Sequence, residues 1–230
     1  MKRILITGAS RGIGRAIAET LAAPETTLLL HGRDEAALAE VKAAVESCGA
    51  HAVLLRADLT KPEEIARLTE AAGGEPLHAL INNAGIAVVK PLDGVSLEEW
   101  QRTLAINVTA PFLLTQKLAP AMRAGSSIVN ILSVAAKTGF PGWGAYCMSK
   151  FALEGWSQSA REELRSRGIR VINIYPAATS TEIWNSVAGE WPREKMMAAE
   201  DVAEAVSYAL SRPAQILVEN ITLGSVSGAL

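Results

Sequence analysis

The stretch ILITGASRGIGRAIAETLAA, Ile4 to Ala23, decides how the rest of the chain is read. Ile4 to Thr7 is a short apolar run with β-branched residues that stops at a glycine, which predicts a buried strand. Gly8, Gly12 and Gly14 follow, and the alanine-rich RAIAETLAA after them has the character of a helix. Strand, glycine turn and helix in that order are the context a dinucleotide-binding turn requires. The spacing is G-x-x-x-G-x-G rather than G-x-G-x-x-G, yet the physics carries over. Glycines let backbone amides approach a pyrophosphate, whose charge is stabilised at the helix N-terminus. The competing reading is an ordinary tight strand-to-helix turn, and the rest of the chain has to decide between the two.

Outward from this stretch, a second strand is predicted over Thr26 to His31. Asp34 then caps a helix that carries Leu38, Val41 and Val45 on one face. In a dinucleotide fold the end of this strand meets the adenosine ribose. An acid there binds the 2′-hydroxyl of NAD, whereas an arginine accommodates the 2′-phosphate of NADP. Here the strand ends His31-Gly32-Arg33, so the acid's usual place is Gly32 and a basic residue follows. Arg11, inside the turn, supplies a second cation. The expected cofactor is therefore NADP(H), with NAD(H), held through Asp34, as the alternative.

The alternation continues. Ala52 to Arg56 predicts a third strand, running into Asp58; Thr60-Lys61-Pro62-Glu63 predicts a capping-box start for the next helix. His78 to Asn82 predicts a fourth strand, followed by the polar turn Asn82-Asn83-Ala84-Gly85. Ser96-Leu97-Glu98-Glu99 is a second capping box, opening a long helical stretch that carries Asn107 beside its apolar face and a kink at Pro111. Further strands are predicted over Ser127 to Leu132, Ile169 to Tyr175 and Ile216 to Leu223. The fold class is α/β, a doubly wound parallel sheet of about seven strands with helices on both faces, in one domain over residues 1–230. Residues 177–198 lack clean periodicity and hold Trp184 and Trp191, which marks them as the expected substrate loop.

Composition excludes several other classes. Across 230 residues, 49 % are hydrophobic and 20 % charged, an ordinary globular balance, and a formal net charge of −2 argues against a nucleic-acid surface. The apolar run near the N-terminus is too short for a secretory signal, and no stretch has the length of a membrane span. Cys48 and Cys147 show no metal-ligand or redox spacing. The expected setting is soluble and cytoplasmic, with no metal.

The chemistry centres on YCMSK, Tyr146 to Lys150. Tyr146 and Lys150 are four apart, so a helix brings them to one face. An ammonium within a few Å favours the phenolate and lowers a tyrosine pKa, which suits general acid–base work. Alone, the pair is more readily a surface accident of helical spacing. With Thr7 to Gly14, Asp58, Asn82 to Gly85, Asn107 and Ser133 in that order along it, the chain resembles the short-chain dehydrogenase/reductase family over essentially its whole length.

That resemblance implies a Rossmann fold and an NADP(H)-dependent enzyme moving a hydride between the nicotinamide and a carbonyl or alcohol. Tyr146 would be the catalytic acid/base, and Ser133 would polarise the substrate oxygen. Lys150 would bind the nicotinamide ribose and lower the Tyr146 pKa, while Asn107 would hold a relay water. The cofactor would be cradled by Gly8, Ser10, Arg11, Gly12, Ile13 and Gly14. Arg33, Asp58 and Leu59 would meet its adenine end, and Asn83, Ala84 and Gly85 its adenosine side. Tyr146, Lys150 and Pro176 would line the nicotinamide end. The family commonly has Pro-Gly after the sixth strand; here Ala177 follows Pro176, so the threonine meeting the carboxamide is either Thr179 or Thr181, with spacing favouring Thr181. The implied assembly is a homodimer or homotetramer acting on a small molecule, without nucleic acid or membrane. A catalytically silent NADP(H)-binding sensor or scaffold is the alternative, against which an intact Ser133, Tyr146 and Lys150 argues.

Overall fold

The computed structural model describes residues 1–187 and 189–226. Its strands are β1 (Lys2–Ile6), β2 (Thr26–Gly32), β3 (His51–Arg56), β4 (Ala79–Asn82), β5 (Ser127–Ile131), β6 (Arg170–Pro176) and β7 (Asn220–Leu223). They form one sheet in the order β3-β2-β1-β4-β5-β6-β7, every pair parallel. Parallel neighbours need crossovers, and the intervening helices supply them: α1 (Gly12–Leu21), α2 (Glu35–Ser47), α3 (Pro62–Ala72), α4 (Leu97–Leu104), α5 (Ala110–Leu118), α6 (Gly144–Arg165) and α7 (Ala199–Ser211). The expected doubly wound sheet is what forms.

Strand residues alternate between two cores, as the two-residue period requires. Ile4, Ile6, Leu28 and Leu30 pack with residues of α1, α2 and α7, whereas Leu5 and Leu29 pack with residues of α3 and α5. The chain runs from β1 outward to β3 on one side, then returns to β4 on the other side of β1. A crevice therefore opens beyond the carboxyl ends of β1 and β4, the switch point where such sheets bind ligands.

A row of asparagines, buried on β4 to β6 and exposed at β7, crosses the sheet just below that end. Asn82, Asn130, Asn173 and Asn220 are in register on β4 to β7. Asn82 Nδ2 donates to Asn130 Oδ1 at 2.9 Å, and Asn130 Nδ2 donates to Asn173 Oδ1 at 3.2 Å. Asn173 Nδ2 in turn donates to the buried Glu154 carboxylate on α6 at 3.2 Å. Tyr175 also donates its hydroxyl to Glu154, and Lys137 pairs with it at 2.8 Å. These bonds pair most of the buried amide groups, Asn82 Oδ1 being left without a protein partner, and they anchor α6 to the sheet.

The structure departs from the sequence expectations at three places. Thr60 does not cap α3; the N-cap is Lys61, without a side-chain bond, and Thr60 instead donates its hydroxyl to Asp58 at 2.8 Å. The long helix bends through a π-helical turn, Ala105–Thr109, rather than by a simple kink. Pro111 has no N–H for the carbonyl of Asn107, so the ladder shifts and Ala110 N–H reaches Ala105 instead. The last strand spans only Asn220–Leu223, because the guanidinium of Arg170 takes the Arg212 and Ile216 carbonyls at 3.1 and 3.3 Å. No described helix is long and apolar enough to cross a membrane.

Candidate active site

The glycine turn is shaped by positions that exclude side chains. Gly8 and Gly12 have φ of +66° and +53°, the left-handed region that favours glycine. At Gly14 a Cβ would lie 2.1 Å from the Gly8 carbonyl oxygen and 2.5 Å from Asn83 Nδ2. The turn is laced to the end of β4. Thr7 Oγ1 donates to the Ile81 carbonyl and accepts from the amides of Asn83 and Ala84 at 2.9 and 3.0 Å. Asn83 Nδ2 donates back to the carbonyls of Thr7 and Gly8 at 2.8 and 3.1 Å. Arg11 is the N-cap of α1 and offers no capping side chain, and the first turn of α1 holds no acid. Amides at such an end attract an anion.

His31 fastens the other side of the turn, a role the sequence reading missed. Its ring is buried, and Nε2 lies 3.1 Å from the Ala57 carbonyl, which can only accept. Nε2 therefore carries the proton, and Nδ1 accepts from the Gly8 amide at 3.3 Å. The His31 carbonyl accepts the Ala9 amide at 2.8 Å. Burial pushes the imidazole down to about 4, with Arg33 adding to the effect. A polar residue within the fully buried strand TTLLLHG was the signal available in the sequence.

A cavity of about 270 Å³ lies along this turn. Of the expected cofactor residues, Gly8, Ser10, Arg11, Gly12, Ile13, Arg33, Asp58, Leu59, Asn83, Ala84 and Gly85 line it, together with Tyr146, Lys150 and Thr181. Gly14 sits behind the turn rather than on the wall. Asp58 accepts the Thr60 amide at 2.9 Å, the main reason its carboxyl is held below the usual range, and Arg33 contributes as well.

A second cavity of about 400 Å³ opens on the far side of Tyr146. Ser133, Pro176 and Thr179 line only this one, while Ile13, Leu132, Tyr146, Thr181 and Ile183 border both. Thr179 is buried, with its hydroxyl donated to the Ala177 carbonyl at 3.0 Å, whereas Thr181 faces the position of a Gly12 Cβ at 3.2 Å.

Tyr146, at the first turn of α6, is half-buried between the cavities. Burial pushes its phenol up to about 12, and a hydrogen bond with Ser133 pulls the other way. Ser133 Oγ accepts the Ala135 amide at 3.1 Å, which leaves its proton for an oxygen beside Tyr146. Lys150 donates to the Ile131 carbonyl at 2.8 Å and stands 5.6 Å from the Tyr146 ring centroid. Burial holds this lysine down at about 8. The expected acidification of Tyr146 by Lys150 is thus not what the protein's own groups produce; desolvation dominates both side chains.

Asn107 is fully engaged. Its Oδ1 accepts the Ile86 amide, and its Nδ2 donates to the Ile86 carbonyl and to Ser149 Oγ, each at 2.9 Å. Ser149 passes the link on by donating to the Tyr146 carbonyl at 2.7 Å. The side chain ties the segment after Gly85 to α6 and has no donor left for a water. Pro111 has no N–H to offer the Asn107 carbonyl, and Oδ1 keeps a second lone pair. A Cβ on Gly85 would lie 3.5 Å from Asn107 Oδ1 and 3.9 Å from Lys150 Nζ, so glycine keeps this corner open. Ser149 carried no signal in the sequence.

Comparison with known proteins agrees with this geometry. The family model described as short chain dehydrogenase matches residues 2–191. A sepiapterin reductase of Chlorobaculum tepidum is 35% identical over 240 residues, covering 99% of this chain and 98% of that protein. A 3-oxoacyl-[acyl-carrier-protein] reductase of Synechocystis is 30% identical over 234 residues, covering 97% and 95%. Among solved structures, an alcohol dehydrogenase from Thermococcus sibiricus complexed with 5-hydroxy-NADP superposes with a TM-score of 0.92 at 25% identity, covering 100% and 99%. A short chain dehydrogenase from Burkholderia cenocepacia in complex with NADP gives 0.86 at 32% identity, covering 96% of each chain.

Proposed function

The chain belongs to the short-chain dehydrogenase family, and from that membership we propose that it is an NADP(H)-dependent oxidoreductase acting on a carbonyl or alcohol. The observation that carries this reading is the position of Tyr146, with Ser133 beside it, between a cavity along a glycine turn and a second, mainly apolar one. Residues 1–230 are read as one cofactor-binding domain, and 177–198 as its substrate loop.

The chain's residues fit the cofactor. The uncapped start of α1 suits the pyrophosphate, the glycines leave room where a Cβ would intrude, and Ser10, Arg11 and Arg33 suit a 2′-phosphate. NADP is bound in several of the similar structures, which supports the choice. Lys150 is assigned to the ribose hydroxyls, and Thr181 rather than Thr179 to the carboxamide, since the Thr179 hydroxyl is engaged within its own segment.

When bound, NADPH supplies the hydride that adds to the carbonyl carbon and is left as NADP⁺. Ser133 donates a hydrogen bond to the substrate oxygen and stabilises the charge that develops there. Tyr146 gives that oxygen its proton as the alcohol forms. A phenol pushed up to about 12 holds its proton at neutral pH, which suits the donor in reduction. Lys150 stands with its ammonium 5.6 Å from the Tyr146 ring centroid and is assigned as the source of a replacement proton.

The test is NADPH oxidation with a panel of ketones and aldehydes, wild type against Tyr146→Phe. Wild-type turnover that falls about 10²- to 10⁴-fold in the variant, with NADPH binding kept, is the expected result. If both chains bind NADPH and neither consumes any carbonyl, the enzyme reading falls and the silent sensor replaces it.

A further inference from the structure

The second cavity carries information about the substrate that the proton-transfer groups do not. Among the described residues, none that lines it is charged. Its polar side chains gather where it meets the first cavity, at Ser133, Tyr146 and Thr181; the hydroxyl of Thr179 is already bonded to Ala177. Next to Tyr146 the lining is aromatic. Trp143 precedes α6, and its ring lies 5.6 Å from Tyr146, edge to face. Trp184 and Trp191 come from the 177–198 loop and stand 5.7 and 6.2 Å from Trp143, and 4.8 Å from each other.

This wall is held in place. Trp184 Nε1 donates to the Thr179 carbonyl at 2.8 Å, and a short bridge joins Thr179 to Met197, closing the base of the loop. Arg193 donates to the Thr181 carbonyl at 2.6 Å and to Asn185 at 3.1 Å. Three large rings in mutual contact, Trp184 fixed by its bond to the Thr179 carbonyl and the other two held by packing against it and each other, present faces and edges against which a further ring can stack or abut. An anionic substrate group entering there would lose its water and meet no cation.

We infer that this site takes an uncharged carbonyl compound whose carbonyl is attached to an aromatic ring system, the oxygen at Ser133 and Tyr146 and the ring against the tryptophan wall. The inference rests on the reductase reading above and adds the substrate class to it.

The experiment compares kcat/KM with NADPH for acetophenone, cyclohexyl methyl ketone, 2-acetylnaphthalene and 4-acetylbenzoate. Acetophenone and the cyclohexyl ketone share a skeleton, and conjugation makes the aryl carbonyl the less reactive of the two. A preference for it therefore reports binding of the ring. Acetophenone is expected to exceed the cyclohexyl ketone by about 2- to 10-fold. 4-Acetylbenzoate should fall at least about 100-fold below acetophenone. Trp191→Leu is expected to bring the aryl-to-cyclohexyl ratio toward one. A wild-type ratio at or below one, or 4-acetylbenzoate used as well as acetophenone, overturns the inference.

Quenching of tryptophan fluorescence by 2-acetylnaphthalene reads binding without turnover, since three of the five tryptophans line the cavity. Saturable quenching that weakens in Trp191→Leu, without consumption of any ketone, would sink the reductase reading and leave the ring-binding wall standing. No quenching would sink the wall.

Discussion

Protonating His31 should unfasten the glycine turn, and the size of the effect follows from its surroundings. The ring is 3 % exposed and bonded on both nitrogens, to the Gly8 amide and the Ala57 carbonyl. A protonated ring would point N–H against N–H at Gly8. Burial is the main reason the pKa falls from 6.5 to about 4; Arg33 pushes the same way, while the Ala57 bond and Asp58 oppose it. Because the folded value lies below the unfolded one, the unfolded chain binds a proton that the folded chain refuses. The stability contribution is complete above about pH 6.5 and is lost as pH falls toward 4. At about 1.4 kcal/mol per tenfold change in proton affinity, the whole loss is about 3 kcal/mol, most of it complete by about pH 4.5.

Urea unfolding of wild type and His31→Gln at pH 7.5 and about 4.5 measures this. Glutamine can accept from Gly8 and donate to Ala57, so at pH 7.5 the two chains should differ by no more than about 1.5 kcal/mol. His78, which burial also pushes down, and the carboxylates titrate in both chains, so the change in the difference isolates His31. On going to about pH 4.5, wild type should lose about 2.5 kcal/mol more than the variant. Two stability curves parallel to within about 0.5 kcal/mol would refute the assignment of His31 as a buried neutral clamp.

Two further substitutions test the turn and its specificity. Gly14→Ala drives a methyl group to 2.1 Å from the Gly8 carbonyl oxygen, so the turn must open, at a cost of about 1–3 kcal/mol or more. A thermal melt should show it, with Gly74→Ala, whose Cβ meets nothing within 4 Å, as the unchanged control. Arg33→Ala should raise KM for NADPH by roughly 10- to 100-fold and leave KM for NADH nearly unchanged, since only NADPH carries the 2′-phosphate. Equal changes for both cofactors would remove the NADP assignment.

Much of this was local and therefore legible. Asp34 caps α2 by accepting the Ala37 amide at 3.1 Å, and Leu38, Val41 and Val45 are buried at their helical spacing. Ser96 and Glu99 form the expected reciprocal cap on α4. Each depends on residues within one turn of each other, so pattern and geometry coincide. Thr60 failed as a cap because Asp58, two residues back, offered its hydroxyl a charged acceptor. The π-helical turn at Asn107 was half legible: Pro111 announced a lost hydrogen bond, but not how the ladder would close around it.

By itself the sequence determined the order of strands and helices, the glycine turn and the helical spacing of Tyr146 and Lys150, because those are statements about neighbours along the chain. Tertiary structure alone decided that His31 clamps Gly8, that Ser149 links the Asn107 side chain to the Tyr146 carbonyl, and that Trp143, Trp184 and Trp191 form one wall of a cavity. It also reversed the expected sign at Tyr146. Spacing puts a lysine beside a phenol, but only packing decides how much water each loses, and here desolvation outweighs the charge.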